Sequence, residues 1–199
     1  MRYAWFLPGT ELMPWRNTHD RWGRVAQLLH WSVAGLILAL MALGWVAKLT
    51  PLSPGKLTLF YWHKSLGMLV LALVLVRLGW RARNPAPPLP PDLPRWEPVM
   101  AHATHVLLYL LMLLIPVTGW LINSASGIPF KIFWVLPLPA ITPVSTHLEH
   151  IFEDFHLVLF WILAVVLLGH IGAALRHHFL LHNSVLRRML PFASKEETN

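Results

Sequence analysis

Four long apolar stretches divide the chain. They run over about Leu28 to Ala47, Leu57 to Trp80, Val99 to Ile122 and Asp154 to His178. Each holds about twenty residues or more, enough for a helix to cross the roughly 30 Å apolar core of a bilayer. Between them the pattern breaks. Pro51 and Pro54 make a first turn, and RARNPAPPLPPDLPRWEP is too rich in proline to continue a helix. The connection from Asn123 to Glu153 carries Pro129, Pro137, Pro139 and Pro143, and its Phe133 and Trp134 suggest a cap lying on the membrane surface. The tail HHFLLHNSVLRRMLPF is basic and amphipathic, as expected of a short helix on an anionic leaflet. The pattern predicts an all-α integral membrane four-helix bundle. A surface arm (1–21) precedes the bundle domain (22–192), and a short tail (193–199) follows it.

Charge gives an orientation. Lysines and arginines collect on the arm (Arg2, Arg16, Arg21, Arg24), the second connection (Arg81, Arg83, Arg95) and the tail (Arg176, Arg187, Arg188, Lys195). The opposite side has Lys48, Lys56, Lys64 and Lys131. The positive-inside rule then predicts both termini in the cytoplasm. The net charge of +7 flanks apolar spans, so it reads as topology, not as a nucleic-acid surface. A 56% hydrophobic chain is too apolar for an ordinary soluble domain. The first 27 residues are polar and Trp-rich, so no secretory signal is expected. No internal repeat is evident.

There is no cysteine, which excludes disulfides, cysteine-ligated iron–sulfur clusters and covalent haem attachment. Twelve histidines stand against nine carboxylates. In the fourth span, His156 and His170 are fourteen residues apart. That returns the second imidazole to within about 40° of the first, about 21 Å further along the helix. His30 opens the first span on the cytoplasmic side, and His63 opens the second from outside. By depth the four form two pairs, His30 with His170 inside and His63 with His156 outside. Each pair comes from two helices, the arrangement that six-coordinate haem iron needs within a bundle. The competing reading is four polar anchors at span ends.

Other residues leave alternatives open. Gly67, Gly169 and Gly172 permit close approach of a macrocycle or simply of another helix. Arg77, fourteen residues after His63, faces the inner pair's depth. It pairs there with a haem propionate or a quinone oxygen, or snorkels to the headgroups. His102 and His105 open the third span. Their candidate roles are propionate contact, replacement of His30 as inner ligand, or neither. His177 is a candidate quinone contact or an interfacial histidine. His147 and His150, with Glu149, Glu153 and Asp154, are placed in the outer cap as a proton relay, an adventitious metal site or solvated residues.

Several motifs occur together in order: LLHWSVA, FYWHKSLG followed by LVLVRLGWR, AHATHVLLYLLMLLIPVTGW, the H-x13-H helix and HHFLLHNSVLRRMLP. Over about residues 22 to 192 they resemble the bacterial cytochrome b561 family. The resemblance implies a multi-pass protein of the bacterial inner membrane with two b haems per chain, held by His30, His63, His156 and His170. It further implies superoxide oxidation at the outer haem, with ubiquinone as electron acceptor. Superoxide, an anion, would be steered by Lys64, Lys131 and Lys56. The rival within the same frame is a quinol-linked electron-transfer subunit or carrier for a separate redox partner. Three departures are visible. The arm before Arg21 is longer than usual. Asn183 stands where the family tail usually has an acidic residue, and the outer loop has few basic residues.

Overall fold

Four helices form because each apolar stretch must satisfy its own backbone in lipid, and punctuation residues set where each ends. The computed structural model describes residues 14–88 and 93–191. Helix α1 is Arg24–Leu49, α2 is Pro54–Arg83, α3 is Trp96–Ala125 and α4 is Thr146–Phe179. All four are long and apolar enough to cross a membrane. Arg2 and Lys195, assigned above to the arm and tail, lie outside the described residues.

The helix ends follow from capping chemistry. After α1, Thr50 Oγ1 bonds the Val46 carbonyl at 2.7 Å. Helix α2 starts with Ser53 as N-cap, its hydroxyl accepting from the Lys56 amide at 3.2 Å, and with Pro54 in its first turn. It stops at Asn84, the residue before Pro85. Helix α3 passes through Pro116, which deprives the Met112 carbonyl of its helical partner. It ends at Ala125, and Gly127 just past its C-cap has a left-handed φ of 69°; a Cβ there would lie 3.0 Å from Val144.

All four helices begin earlier than the hydropathy pattern predicts. The difference is largest for α4, which starts at Thr146 and not near Asp154. Ser145 is its N-cap, accepting from the Leu148 amide at 3.3 Å. His147, Glu149, His150, Glu153 and Asp154 therefore lie on the first turns of α4, not in a cap. The helix outlasts its apolar segment because capping and helix propensity, not hydropathy, set its start.

The connection before α4 holds a small hairpin, β1 (Phe130–Ile132) antiparallel to β2 (Leu136–Leu138), with Ile132 opposite Leu136. Its turn places Phe133 (φ 48°) and Trp134 (φ 63°) in the left-handed region, where Asn and Gly are usual. Such residues cost about 1–3 kcal/mol each and persist when neighbours over-determine them. Here Tyr61 on α2 stacks on Trp134 at 4.0 Å, accepts from its amide at 2.7 Å and donates to the Lys131 carbonyl. Ser65 Oγ accepts from the Phe133 amide at 3.1 Å.

The tail does not form the expected amphipathic helix over the described residues. Its first part continues α4 to Phe179, and beyond it only a 3-10 turn, Arg187–Met189, is regular. The tail is instead tied down by backbone acceptors. Buried Gln27 donates to the carbonyls of Trp22, Arg188 and Leu190, and Trp31 Nε1 donates to Met189. Asn17 of the arm reaches the carbonyls of Asn84 and Pro85 after α2. Arm, second connection and tail thus close one end of the bundle, the terminal end. The hairpin closes the other.

The core is one apolar layer at mid-bundle: Val33, Ile37, Val70, Val74, Leu108, Leu111, Leu159 and Leu163. Many large apolar side chains elsewhere are exposed on the outside, such as Leu38, Leu75, Val165 and Leu168, as a lipid-facing surface requires. Helix α4 packs chiefly on α3, while α1 packs on α2. The α1–α4 and α2–α4 gaps are where histidines meet.

Candidate functional site: two histidine layers

The core layer separates two histidine pairs, and α4 supplies one member of each. At the hairpin end, His63 of α2 and His156 of α4 have ring centres 6.3 Å apart and planes at 70°. At the terminal end, His30 of α1 and His170 of α4 are also 6.3 Å apart, at 74°. Two rings bonded from opposite sides to one atom at about 2.0–2.1 Å, with about 1.2 Å from each nitrogen to its ring centre, stand about 6.4 Å apart between centres. Both pairs meet that spacing. The pairing expected from depth is therefore the pairing the fold brings together.

A porphyrin supplies four donors of its own, so its iron needs two from the protein. Among the described residues, no group of three or more His, Asp or Glu is placed to hold a bare metal ion. That also removes the adventitious metal site weighed for His147, His150 and their carboxylate neighbours. Pairs without a third ligand suit a macrocycle and not a lone ion.

The hairpin-end pair faces a cavity of about 470 Å³ lined by all four helices, including Met41, Gly44, Gly67, Met112, Gly119 and Phe160. That is within the range of ligand pockets, about 300–1,000 Å³. Phe130 and Leu138 of the hairpin line it as well. Hydrogen bonds select the His156 tautomer. Thr118 Oγ1 donates its single proton to the Ile115 carbonyl at 2.7 Å, so it accepts from His156 Nδ1–H at 2.8 Å. Nε2 of His156 is then the free lone pair, as a ligand requires. Gly44 holds the opposite wall: a Cβ there would stand 2.8 Å from His63 Cε1. Lys64 Nζ donates to Asn123 Oδ1 at 2.9 Å beside the cavity. Lys48, Glu153 and Asp154 also line it, so two cations face two carboxylates. Lys131 lies outside it on β1, exposed, and Lys56 is not among its lining residues.

The terminal-end pair sits among more polar neighbours. Arg77 points inward, with Nη1 2.9 Å from His30 Nδ1 and Nε donating to Tyr109 OH at 3.0 Å. It does not take the snorkelling alternative. Arginine only donates, so His30 Nδ1 accepts and a neutral ring carries its proton on Nε2. Ligation by His30 through Nε2 requires Arg77 to let go of Nδ1. His105 is also close, its ring centre 5.5 Å from that of His170. That is too short for two rings on opposite sides of one atom, so spacing favours His30 as the partner of His170. His102 is exposed one turn away. His177 is not part of this cluster. Its Nδ1 is 2.7 Å from Asn183 Nδ2, and its Nε2 is 3.5 Å from Glu97 Oε2.

Sequence reading missed Thr118, Gly44, Tyr109 and Glu97. The first two lie mid-helix with no spacing to the histidines that a single chain reveals. Glu97 sits beside a proline-rich loop and gave no motif.

The comparisons agree with this architecture. Residues 21–192 match the model of the prokaryotic cytochrome b561 family. The chain is 32% identical to cytochrome b561 homolog 2 of Escherichia coli K12, over 92% of this chain and 98% of that protein. It is 27% identical to cytochrome b561 homolog 1 of the same organism, over 86% and 98% respectively. It is 27% identical to a protein of Yersinia pestis named "Probable superoxide oxidase CybB", over 87% and 97%. With four membrane-spanning helices and a match across most of its length, this chain belongs to the prokaryotic cytochrome b561 family, whose members are membrane electron-transfer proteins carrying b-type haem.

Proposed function

We propose that the chain binds two b haems and carries electrons across the bacterial inner membrane, from superoxide outside to ubiquinone at the cytoplasmic face. The observation that carries this reading is the pair of 6.3 Å histidine spacings, one at each end of the bundle. His63 and His156 would hold one haem, His30 and His170 the other. When bound, the haems supply the one-electron chemistry; the protein supplies ligation, orientation and electrostatics.

The residues have distinct tasks. Thr118 orients His156, and Gly44 leaves room for His63. Arg77 would move from His30 to a haem carboxylate, which would account for a half-buried cation beside these histidines. His105 stands beside His170 as a second donor to such a carboxylate. The arginines at the terminal end support a cytoplasmic location for it by the positive-inside rule, which would turn the hairpin outward. Lys64 attracts an anion to the cavity mouth. Two superoxide anions would each give up one electron and leave as dioxygen. One ubiquinone would take the two electrons and two cytoplasmic protons.

Purified haem-loaded protein mixed with superoxide and ubiquinone tests this. The expected result is oxygen release coupled to quinone reduction above the spontaneous rate. Neither above background would refute the substrate assignment.

A second reading is a carrier for a separate redox protein. It is favoured by the balanced charge at the mouth, with Glu153 and Asp154 beside Lys48 and Lys64. Co-purification of a stoichiometric haem- or flavin-bearing partner, with no superoxide-driven turnover, would select it.

A further inference from the structure

The terminal end holds a carboxylate that the haem sites do not use. Glu97, in the first turn of α3, is only 6% exposed and is the only buried carboxylate among the described residues. Its two oxygens differ. Oε1 is anchored by Arg176 Nη1 at 3.0 Å. Oε2 is buried without a hydrogen-bond partner, and His177 Nε2 faces it from 3.5 Å. An unpartnered buried carboxylate oxygen is costly and asks for a use.

The surrounding hydrogen bonds say which group moves a proton. Asn183 Oδ1 accepts from the Val185 amide at 3.3 Å, so its Nδ2 is the atom turned to His177 Nδ1. His177 Nδ1 therefore accepts, and its own proton sits on Nε2, toward Glu97. A side-chain amide does not titrate at ordinary pH. Passage of a proton through the imidazole from one nitrogen to the other is thus closed at Nδ1. The atom left free to take up a proton is Glu97 Oε2. His177 lies seven residues, about 10 Å, beyond His170 on nearly the same stripe of α4. The carboxylate thus stands between the terminal-end pair and the aqueous face.

We propose that Glu97 is the proton-delivering group for a quinone reduced at the terminal end, with Arg176 and His177 as positioning residues. This rests on the quinone reading above. Each quinone carbonyl oxygen gains one proton as the ring takes two electrons supplied by the donor on the hairpin side. Glu97 gives one of the protons from its carboxylic acid form and is recharged from the cytoplasm; the other comes from cytoplasmic water.

The test uses the full haem-loaded chain and ubiquinone. Glu97→Gln keeps the size and the contact to Arg176 but holds no transferable proton. The expected loss in quinone reduction is about a hundredfold, the usual scale for one general acid. Glu97→Asp should recover most of it, with an altered pH profile. Haem content and haem reduction by the donor without quinone should be unchanged in both. A readout independent of turnover is the infrared difference spectrum for quinone reduction. It should contain a carboxyl C=O band that disappears in Glu97→Gln and shifts in Glu97→Asp. Wild-type turnover in Glu97→Gln, or an infrared band indifferent to residue 97, would overturn the proposal. If Glu97→Gln fails to fold, the Glu97→Asp infrared shift decides alone. A wild-type protein whose haems accept electrons but reduce no quinone would instead sink the quinone reading itself.

Discussion

Gly44 sits on α1 opposite His63, and replacing it by alanine sets two effects against each other. In a helix interior, alanine is favoured over glycine by about 0.8–1.0 kcal/mol. Judged by propensity alone, Gly44→Ala should stabilise the protein. The structure predicts a different outcome at the site. The new Cβ would stand 2.8 Å from His63 Cε1 and 3.1 Å from Nδ1, where ordinary contact begins at 3.4 Å. The imidazole must move by about 0.6 Å, several times the roughly 0.2 Å tolerance of a metal–ligand bond. Its partner His156 is fixed by Thr118 and does not follow. We expect Gly44→Ala to insert and fold with unchanged helical content, to lose or disturb the hairpin-end haem, and to keep the other. Gly35→Ala is the control: a Cβ there meets nothing within 4 Å, so both haems should remain. The assay is haem per chain with a reduced-minus-oxidised spectrum for each variant. Two haems with wild-type spectra in Gly44→Ala would refute the role given to this wall.

Three further outcomes follow from the same geometry. His63→Ala or His156→Ala should remove one haem, and His30→Ala or His170→Ala the other, while His105→Ala and His102→Ala keep two; loss of a haem in His105→Ala with retention in His30→Ala would reassign the terminal-end pair. Thr118→Val removes the acceptor for His156 Nδ1–H at nearly constant volume, and haem titration should show affinity at that site reduced about 10–100-fold; no change would mean the tautomer is set elsewhere. Lys64→Gln should slow superoxide oxidation and flatten its dependence on ionic strength in stopped-flow traces; an unchanged salt profile would place the donor's approach away from this cavity.

Much of this site was legible in the sequence because the relevant distances run along single helices. His156 and His170 are spaced by a multiple of the helical repeat, and topology alone gives His30 and His63 their depths. What did not show was contact between helices. Thr118, Gly44 and Tyr109 act across gaps whose width depends on side-chain packing, which no local pattern encodes. The start of α4 was misread because THLEHIFED is polar, and hydropathy marks the membrane core, not the helix. The hairpin escaped notice because its turn uses Phe133 and Trp134 where a turn signal would be Asn-Gly; Tyr61, seventy residues away, makes that turn tenable. The tail's basic, amphipathic pattern suggested a surface helix. Buried Gln27 captures its backbone carbonyls instead, and a tail held by its carbonyls has fewer left for helical bonds.

The central claim is that two irons are held at two heights by separate histidine pairs. The most direct measurement is haem counting per purified chain, with a low-temperature spectrum that reports spin state. The expected result is two b haems per chain, both low-spin and six-coordinate, each removed separately by its own histidine variants. One haem per chain, or a five-coordinate high-spin signal from either site, would contradict it.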